Sequence, residues 1–479
     1  MKKITSLLFL AACTLAPRYE RPETCCEEAW RTPLTTSEDI KTDWWKQFGD
    51  PVLGELIQQA LYNNQDLKTA IARVDQYQAQ LMIARSQFYP QVSGEWLTSR
   101  QKISTTVTAL PPNIKPIFNI FGIVFKASYL VDLWGEVRSG AEAAYHAWLS
   151  VIEARRSVVL ALVSSVASSY IQLRQLDQQL KISEATKKTR DTSLYLAKIR
   201  FELGLTSDIE VEQATAEVQQ AELKVEEYTL QIAEVENQLS FLLGIPSTEI
   251  PRGRTLDEET MPPTIPAFLP SDLLNNRPDV RAAEERLMSF NANIGVARAQ
   301  FFPQINLAGG AGTESVYFAG KNGLFTKNSE VWNVGTDILQ QIFTGFALTG
   351  ELEEAKAMKK EALHAYLSTT LKAYKEANDA LTAHKIYLEE VETQRIRVEA
   401  LQKYLHLADL RYKEGQTDYL TYLDAERYLF EGLLDYETAK GNSFLSYIQI
   451  YQSFGGEWVE AADAKALEER DCQECNLQS

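Results

Sequence analysis

Hydrophobic residues follow two different periods in this chain, and the periods alternate in a fixed order. From Asp66 to about Phe88, and again from Asp279 to about Phe301, the apolar positions are spaced as on one face of a helix. Each run ends at a proline, Pro90 or Pro303, that cannot continue it. The period then drops to two. Between Ile117 and Leu133 the odd positions are Ile117, Asn119, Phe121, Ile123, Phe125, Ala127, Tyr129, Val131 and Leu133, whereas Lys126, Ser128 and Asp132 lie on the even face. Later, Trp332, Val334, Thr336, Ile338, Gln340 and Ile342 form one face opposite Asn333, Asp337 and Gln341. A greasy face and a polar face fit a strand between lipid and a watery lumen, and equally a half-buried soluble sheet. Turn residues at Leu110-Pro111-Pro112-Asn113 and Gly320-Lys321-Asn322-Gly323 predict a hairpin in each region, hence four strands. Four strands cannot close a membrane barrel and open edges are not tolerated in lipid, so a spanning barrel would have to be shared by several chains.

After each strand region the helical period returns for a long stretch, about Glu136 to Leu203 and about Phe346 to Glu414, with hardly any glycine and no proline inside. At 1.5 Å per residue each is on the order of 100 Å long. Gly204 and Gly415 fit left-handed C-caps at their ends. Ser207-Asp208-Ile209-Glu210 reads as a capping box that starts a return helix. That helix carries an unbroken heptad seam of Val211, Ala214, Val218, Ala221, Val225, Tyr228, Ile232, Val235, Leu239 and Leu242. A rougher seam follows the second turn, with Tyr422, Ala425, Leu429, Gly432, Tyr436 and Ala439, whose small residues permit close helix approach. Antiparallel helical hairpins are expected. The short and return helices of each half together match the long helix in length, so they can stack end to end beside it as a tube.

The order repeats because the sequence does. Ala84-Arg85-Ser86-Gln87-Phe88-Tyr89-Pro90-Gln91 returns as Ala297-Arg298-Ala299-Gln300-Phe301-Phe302-Pro303-Gln304. Ala197-Lys198-Ile199-Arg200-Phe201-Glu202-Leu203-Gly204 returns as Ala408-Asp409-Leu410-Arg411-Tyr412-Lys413-Glu414-Gly415. Two blocks of roughly 210 residues are copies of one design.

Composition narrows the function. With 479 residues, 45% of them apolar, the chain can bury a large core. Its net charge of -17 makes nucleic acid an improbable partner. Lys2 and Lys3 precede a short apolar run ending in Leu10-Ala11-Ala12-Cys13, the pattern of a secretory signal rather than a membrane span. The small residues before Cys13 resemble a bacterial lipobox, which implies cleavage there and acylation of the Cys13 thiol. Cys25, Cys26, Cys472 and Cys475 would then meet an oxidising compartment and could form disulfides. Cys472-Gln473-Glu474-Cys475 has redox spacing but lies in a polar tail without strand–helix context. Catalysis has no foothold: His146, His364, His384 and His406 fall in helical stretches without metal-ligand spacing, and no phosphate loop or nucleophile elbow is present. No enzyme activity, cofactor or metal is expected.

Several strings resemble the TolC/OprM family of outer-membrane efflux channels, most closely its lipoprotein branch. They are Trp44-Trp45-Lys46-Gln47-Phe48-Gly49-Asp50-Pro51, Leu61-Tyr62-Asn63-Asn64-Gln65-Asp66-Leu67, Leu242-Leu243-Gly244-Ile245-Pro246, Asn276-Arg277-Pro278-Asp279-Val280-Arg281-Ala282-Ala283-Glu284, both Phe-aromatic-Pro-Gln repeats, and Tyr422-Leu423-Asp424-Ala425. The resemblance runs from Cys13 to about Trp458. It implies a mainly α protein with membrane β: an internal twofold repeat, a long α-helical barrel, and a trimeric 12-stranded β-barrel with four strands per chain. In those terms residues 1–12 are a signal peptide, and 13–65, 244–278 and 453–479 make an acylated N-terminal segment and an equatorial domain. Residues 66–89, 135–243, 279–301 and 346–452 make a periplasmic helical barrel, and 90–134 and 302–345 supply the outer-membrane strands. The implied partners are two further copies of the chain, a periplasmic adaptor, an inner-membrane pump and outer-membrane lipid.

The resemblance also implies site residues. A gate that closes the periplasmic end would use Asp424, Arg427, Tyr412, Arg411 and Glu210; on pattern alone Asp424 and Arg427 are an ordinary solvated pair three residues apart. The tips Gly204-Leu205-Thr206 and Gly415-Gln416-Thr417 resemble adaptor-docking motifs, and simple turn chemistry accounts for the same residues. Three positions depart from the family pattern: Thr421 and Thr417 are neutral where some relatives carry charge, and Glu210 stands where an aspartate is usual. The function implied is the exit duct of a tripartite efflux system. A protein-secretion channel and a structural coiled-coil lipoprotein are the alternatives.

Overall fold

A computed structural model describes residues 15–23, 30–31, 43–104, 106, 116–258, 273–317 and 329–478. Cys13, Cys25, Cys26 and both expected hairpin loops lie outside them. A short 3-10 turn, Trp44–Phe48, leads into α1 (Pro51–Asn63) and α2 (Gln65–Ser86). Strands β1 (Gln91–Lys102) and β2 (Ile117–Val131) follow, then α3 (Glu136–Glu202) and α4 (Asp208–Leu242). After α5 (Leu273–Asn276), the order returns as α6 (Pro278–Ala299), β3 (Gln304–Tyr317), β4 (Glu330–Leu339), α7 (Ala347–Lys413) and α8 (Tyr419–Phe454). A final helix, α9, spans Glu457–Gln478. The opening helices α2 and α6 each have 22 residues, and the long helices α3 and α7 each have 67. No described helix is apolar enough over its length to cross a membrane.

Two compact units divide the chain. One comprises the described parts of residues 1–23, 73–151 and 283–366; the other comprises those of 24–72, 152–282 and 367–479. The first contains the sheet, antiparallel throughout in the order β1-β2-β3-β4. Register confirms the alternation expected for β2. Trp96 pairs with Ile123, Ile123 with Thr313, and Ile305 with Ile338, so the apolar odd face of β2 continues across all four strands. The opposite face carries Glu95, Lys126, Glu314, Asn333 and Asp337, and Lys126 forms an ion pair with Glu95. Val92, Trp96, Phe125, Trp332, Val334 and Ile338 are exposed on the apolar face. One boundary differs from the sequence expectation: β4 ends at Leu339, so Gln340 and Ile342 lie in the turn toward α7 rather than on the strand face. Glycines make the centre of the sheet close-packed. A Cβ on Gly312 would collide with the Ile123 carbonyl.

The same unit holds the N-terminal segment against α6. Asn291 Nδ2 donates to the Pro17 carbonyl at 2.7 Å, Arg298 to the Leu15 carbonyl at 3.0 Å, and Arg21 pairs with Glu284 at 2.8 Å. The segment therefore runs antiparallel to α6, and a Cβ at Gly295 would approach Ala16 Cβ to 2.7 Å.

The second unit has an aromatic core. Trp44 stacks on Tyr451 at 4.9 Å and meets Trp458 edge-on at 5.9 Å, with Phe48 against Tyr447 at 5.7 Å. Buried Asp50 caps α1 by accepting from Val52 N–H at 2.9 Å, and also accepts from Tyr170 Oη at 2.6 Å and Arg254 N–H at 3.0 Å. The distinctive strings thus hold one another. Asn64 Nδ2 donates to the Leu242 carbonyl at 2.9 Å, and buried Arg277 donates to the Ser453 carbonyl at 3.0 Å while pairing with Asp279 and Glu376. Asp50, Tyr170 and Arg277 are buried polar groups with partners, as burial demands. The α4 seam is buried or half-buried throughout. At Gly432 in the α8 seam an added Cβ would stand 2.7 Å from Leu401 Cδ1, which shows the close approach expected of small residues there.

Candidate functional site

Both helical hairpins turn by the same backbone geometry. Gly204 has φ 69° and Gly415 φ 70°, a left-handed conformation that disfavours side chains. Leu205 N–H donates to the Arg200 carbonyl at 2.8 Å, and Gln416 N–H to the Arg411 carbonyl at 2.8 Å, so each turn satisfies the end of its long helix. The starts of the return helices differ. Asp418 caps α8 by accepting Thr421 N–H at 3.0 Å. Ser207 makes no side-chain cap bond at α4, so the expected capping box does not form. Glu210, its reciprocal member, instead stands beside Tyr412 and helps to raise its phenol.

Tyr412 is the hinge of an aromatic cluster. Its hydroxyl accepts from Arg200 Nη1 at 2.6 Å, and the Arg200 guanidinium lies 5.2 Å from its ring centre. Tyr412 stacks on Tyr422 at 5.8 Å and contacts Tyr419 at 5.6 Å. Burial, with Glu210 beside it and Arg200 opposing, raises the Tyr412 phenol above its ordinary value. Burial and the nearby Glu426 push Tyr422 up to about 12. These phenols stay neutral and serve as hydrogen-bonding apolar walls.

Behind the tyrosines lies a buried charge network. Arg190, only 2% exposed, donates from Nη1 to the Glu217 carbonyl at 2.9 Å and from Nε to Glu426 at 3.3 Å. Its Nη2 lies 3.0 Å from Glu217 Oε2 as an ion pair without hydrogen-bond alignment. The Phe430 ring stands 5.1 Å from its guanidinium. Arg427 Nε donates to Glu217 at 2.6 Å, while its Nη1 is 3.5 Å from Asp424. Residues of α3, α4 and α8 are therefore joined by two arginines and two buried glutamates. Burial raises the Glu426 carboxyl, against the lowering influence of Arg190.

The structure brings Asp424, Arg427, Tyr412 and Glu210 into this neighbourhood. Arg411, next to Tyr412 in the chain, is exposed. Leu205 and Gln416 are exposed at the tips, and Thr206 and Thr417 are half-buried. Sequence reasoning missed Arg190, Arg200, Glu217, Glu426, Tyr419 and Tyr422 as members of one cluster. A signal existed for Arg190: Ser183, Arg190 and Ala197 are buried at seven-residue spacing, so a charge occupies a seam position.

Comparison with known proteins agrees with this architecture. The profile of the outer membrane efflux proteins matches residues 56–245 and 269–456. The sequence is 36% identical over 462 residues to the probable efflux pump outer membrane protein TtgC of Pseudomonas putida, covering 94% of each chain. It is 30% identical over 466 residues to the cation efflux system protein CusC of Escherichia coli, covering 95% of this chain and 97% of that one. The open state of the Neisseria gonorrhoeae MtrE outer membrane channel superposes with a TM-score of 0.83 at 30% identity, covering 93% of this chain and 98% of that one.

Proposed function

The chain belongs to the outer membrane efflux protein family and is an outer-membrane efflux channel rather than an enzyme, and on that premise we propose that three copies share one barrel and form a gated exit duct. The sheet carries the proposal. It exposes a continuous apolar face and ends in two unpaired edges, β1 and β4, which lipid cannot satisfy. Three copies supply twelve strands, a closed barrel with a polar inner face. Residues 66–89, 135–243, 279–301 and 346–452, two matching halves of one repeat, form the periplasmic helical barrel. The remaining parts of 13–65, 244–278 and 453–479 belt it. Cys13 is acylated, and the segment from Leu15 that binds α6 ties the anchor to the body.

In this reading the hairpin tips 204–206 and 415–417 meet a periplasmic adaptor that joins an inner-membrane pump. Asp424, Arg427, Tyr412, Arg411 and Glu210 close the duct at rest. Three Asp424 carboxylates facing one another repel unless arginines or cations stand between them, which makes this a constriction that a partner can open. The cargo class is small molecules: related proteins are named for toluene, antibiotic and cation efflux.

Purified protein in planar bilayers tests the proposal. Small closed-state conductance is expected, rising in Asp424→Ala together with antibiotic entry into cells. Absence of any conductance would remove the channel; unchanged conductance in Asp424→Ala would remove the gate while leaving the channel.

A further inference from the structure

The two corners where a strand leads into a long helix are built alike but finished differently. Gly135 precedes α3 with φ 77°, and Phe346 precedes α7 with φ 70°, the one non-glycine residue with positive φ among the described residues. A bulky side chain there is strained, and such strain persists only where surroundings hold it. Yet Phe346 is 78% exposed and Phe343 81%, and their rings meet edge to face at 6.2 Å. The first corner has what the second lacks. Trp134 stacks on Phe302 at 4.8 Å and donates Nε1–H to the Pro303 carbonyl at 2.8 Å, clasping the end of β2 to the base of β3. Tyr89-Pro90 precedes β1 as Phe302-Pro303 precedes β3, but Tyr89 is 70% exposed.

We propose that β4 of one copy pairs with β1 of a second copy in the register that β2 and β3 already use, and that Phe343 and Phe346 clasp Tyr89 of the second copy. The proposal rests on the shared barrel and specifies its seam. Gln91 opens β1 opposite Ser128, and Gln304 opens β3 opposite Leu339, so β1 corresponds to β3 and β2 to β4 from those positions. Ala127 faces Gly309 in the internal seam; the corresponding residues are Ile338 and Trp96. Both lie on the apolar face, since Ile338 pairs with Ile305 and Trp96 with Ile123. A slip of one residue would set Trp96 opposite Asp337 or Leu339, on the polar face. The chosen register also sets Trp332 opposite Lys102 and brings the exposed aromatics of both corners to one level. Lipid could cover the rings, but it could not pair the edge amides and carbonyls beside them.

Cysteine cross-linking in native membranes tests the seam, with Cys25, Cys26, Cys472 and Cys475 replaced by serine. Trp96→Cys with Ile338→Cys is expected to give a covalent ladder ending at trimer on oxidation. Trp96→Cys with Thr336→Cys, two residues out of register on the same face, is expected to give little. If the second pair cross-links better, or neither does while light scattering in detergent still reports a trimer, the register is wrong and the shared barrel stands. A monomer in detergent would overturn both. Phe346→Gly tests the clasp independently. It relieves the strain, so a ring without a partner predicts a higher trimer dissociation temperature; the clasp predicts a lower one.

Discussion

The tips of the α3–α4 and α7–α8 hairpins share a backbone and differ in what holds them. Each long helix ends in a left-handed glycine four residues after an arginine, Arg200 or Arg411. Arg200 is bound to Tyr412, whereas Arg411 is exposed and makes no ion pair or side-chain hydrogen bond among the described residues. The second return helix has a side-chain cap at Asp418; the first has none at Ser207, and its Glu210 stands beside Tyr412. Two tips that share an alanine, an arginine and a glycine at the same spacing are therefore held differently, one by its arginine and the other by its tyrosine. Local rules set the turn, and the neighbouring hairpin sets its bonds.

The comparison can be broken most severely at Arg190. Arg190→Met would leave Glu217 and Glu426 buried beside each other without their shared cation, a loss of about 3–5 kcal/mol. Thermal unfolding in detergent should show a large fall in midpoint, and a shift within error would mean the network does not join the hairpins. Tyr412→Phe removes the hydroxyl that accepts from Arg200 across the two tips and should cost roughly 1–2 kcal/mol. Limited proteolysis should then cut both tips faster, since one bond holds both; faster cutting at the second tip alone would contradict the linkage. Capping sharpens the contrast further. Asp418→Ala should destabilise by about 1 kcal/mol and Ser207→Ala by well under that, because only the first removes a cap bond. Equal losses would mean the two starts are equivalent.

The smallest effect is a pH dependence. Burial raises the folded Glu426 carboxyl above its ordinary 4.5. A raised folded value means its contribution is fully present below the unfolded value and is lost as pH rises through the folded one. The unfolding midpoint of the native chain, relative to Glu426→Gln, should therefore climb as pH falls from neutral toward that range. A difference independent of pH, or one of opposite sign, would show that Arg190 outweighs burial at this site.

Much of the architecture was legible before any coordinates. Proline at 90 and 303, glycine at 204 and 415, and the seam from Val211 to Leu242 marked where helices stop, turn and face. Strand alternation in β2 identified the apolar face that the register extends across the sheet. The helices α1 and α9 were less visible, being short or highly charged, and they earn their place by packing around Trp44 and Trp458. The expected capping box does not form: Ser207 makes no cap bond, and Glu210 stands beside Tyr412, more than 200 residues away in sequence.

What the sequence determined by itself was periodic: the lengths of the elements, the positions of the turns, the two faces of the strands and the order in which the elements recur. These follow from interactions among residues a few positions apart, or from covalent geometry, and they are written locally. Tertiary structure alone decided which charges meet. Arg190, Glu217 and Glu426 are distant in sequence and gain their pairing only when three helix faces exclude water together, where an unpaired charge is far costlier than on a solvated surface.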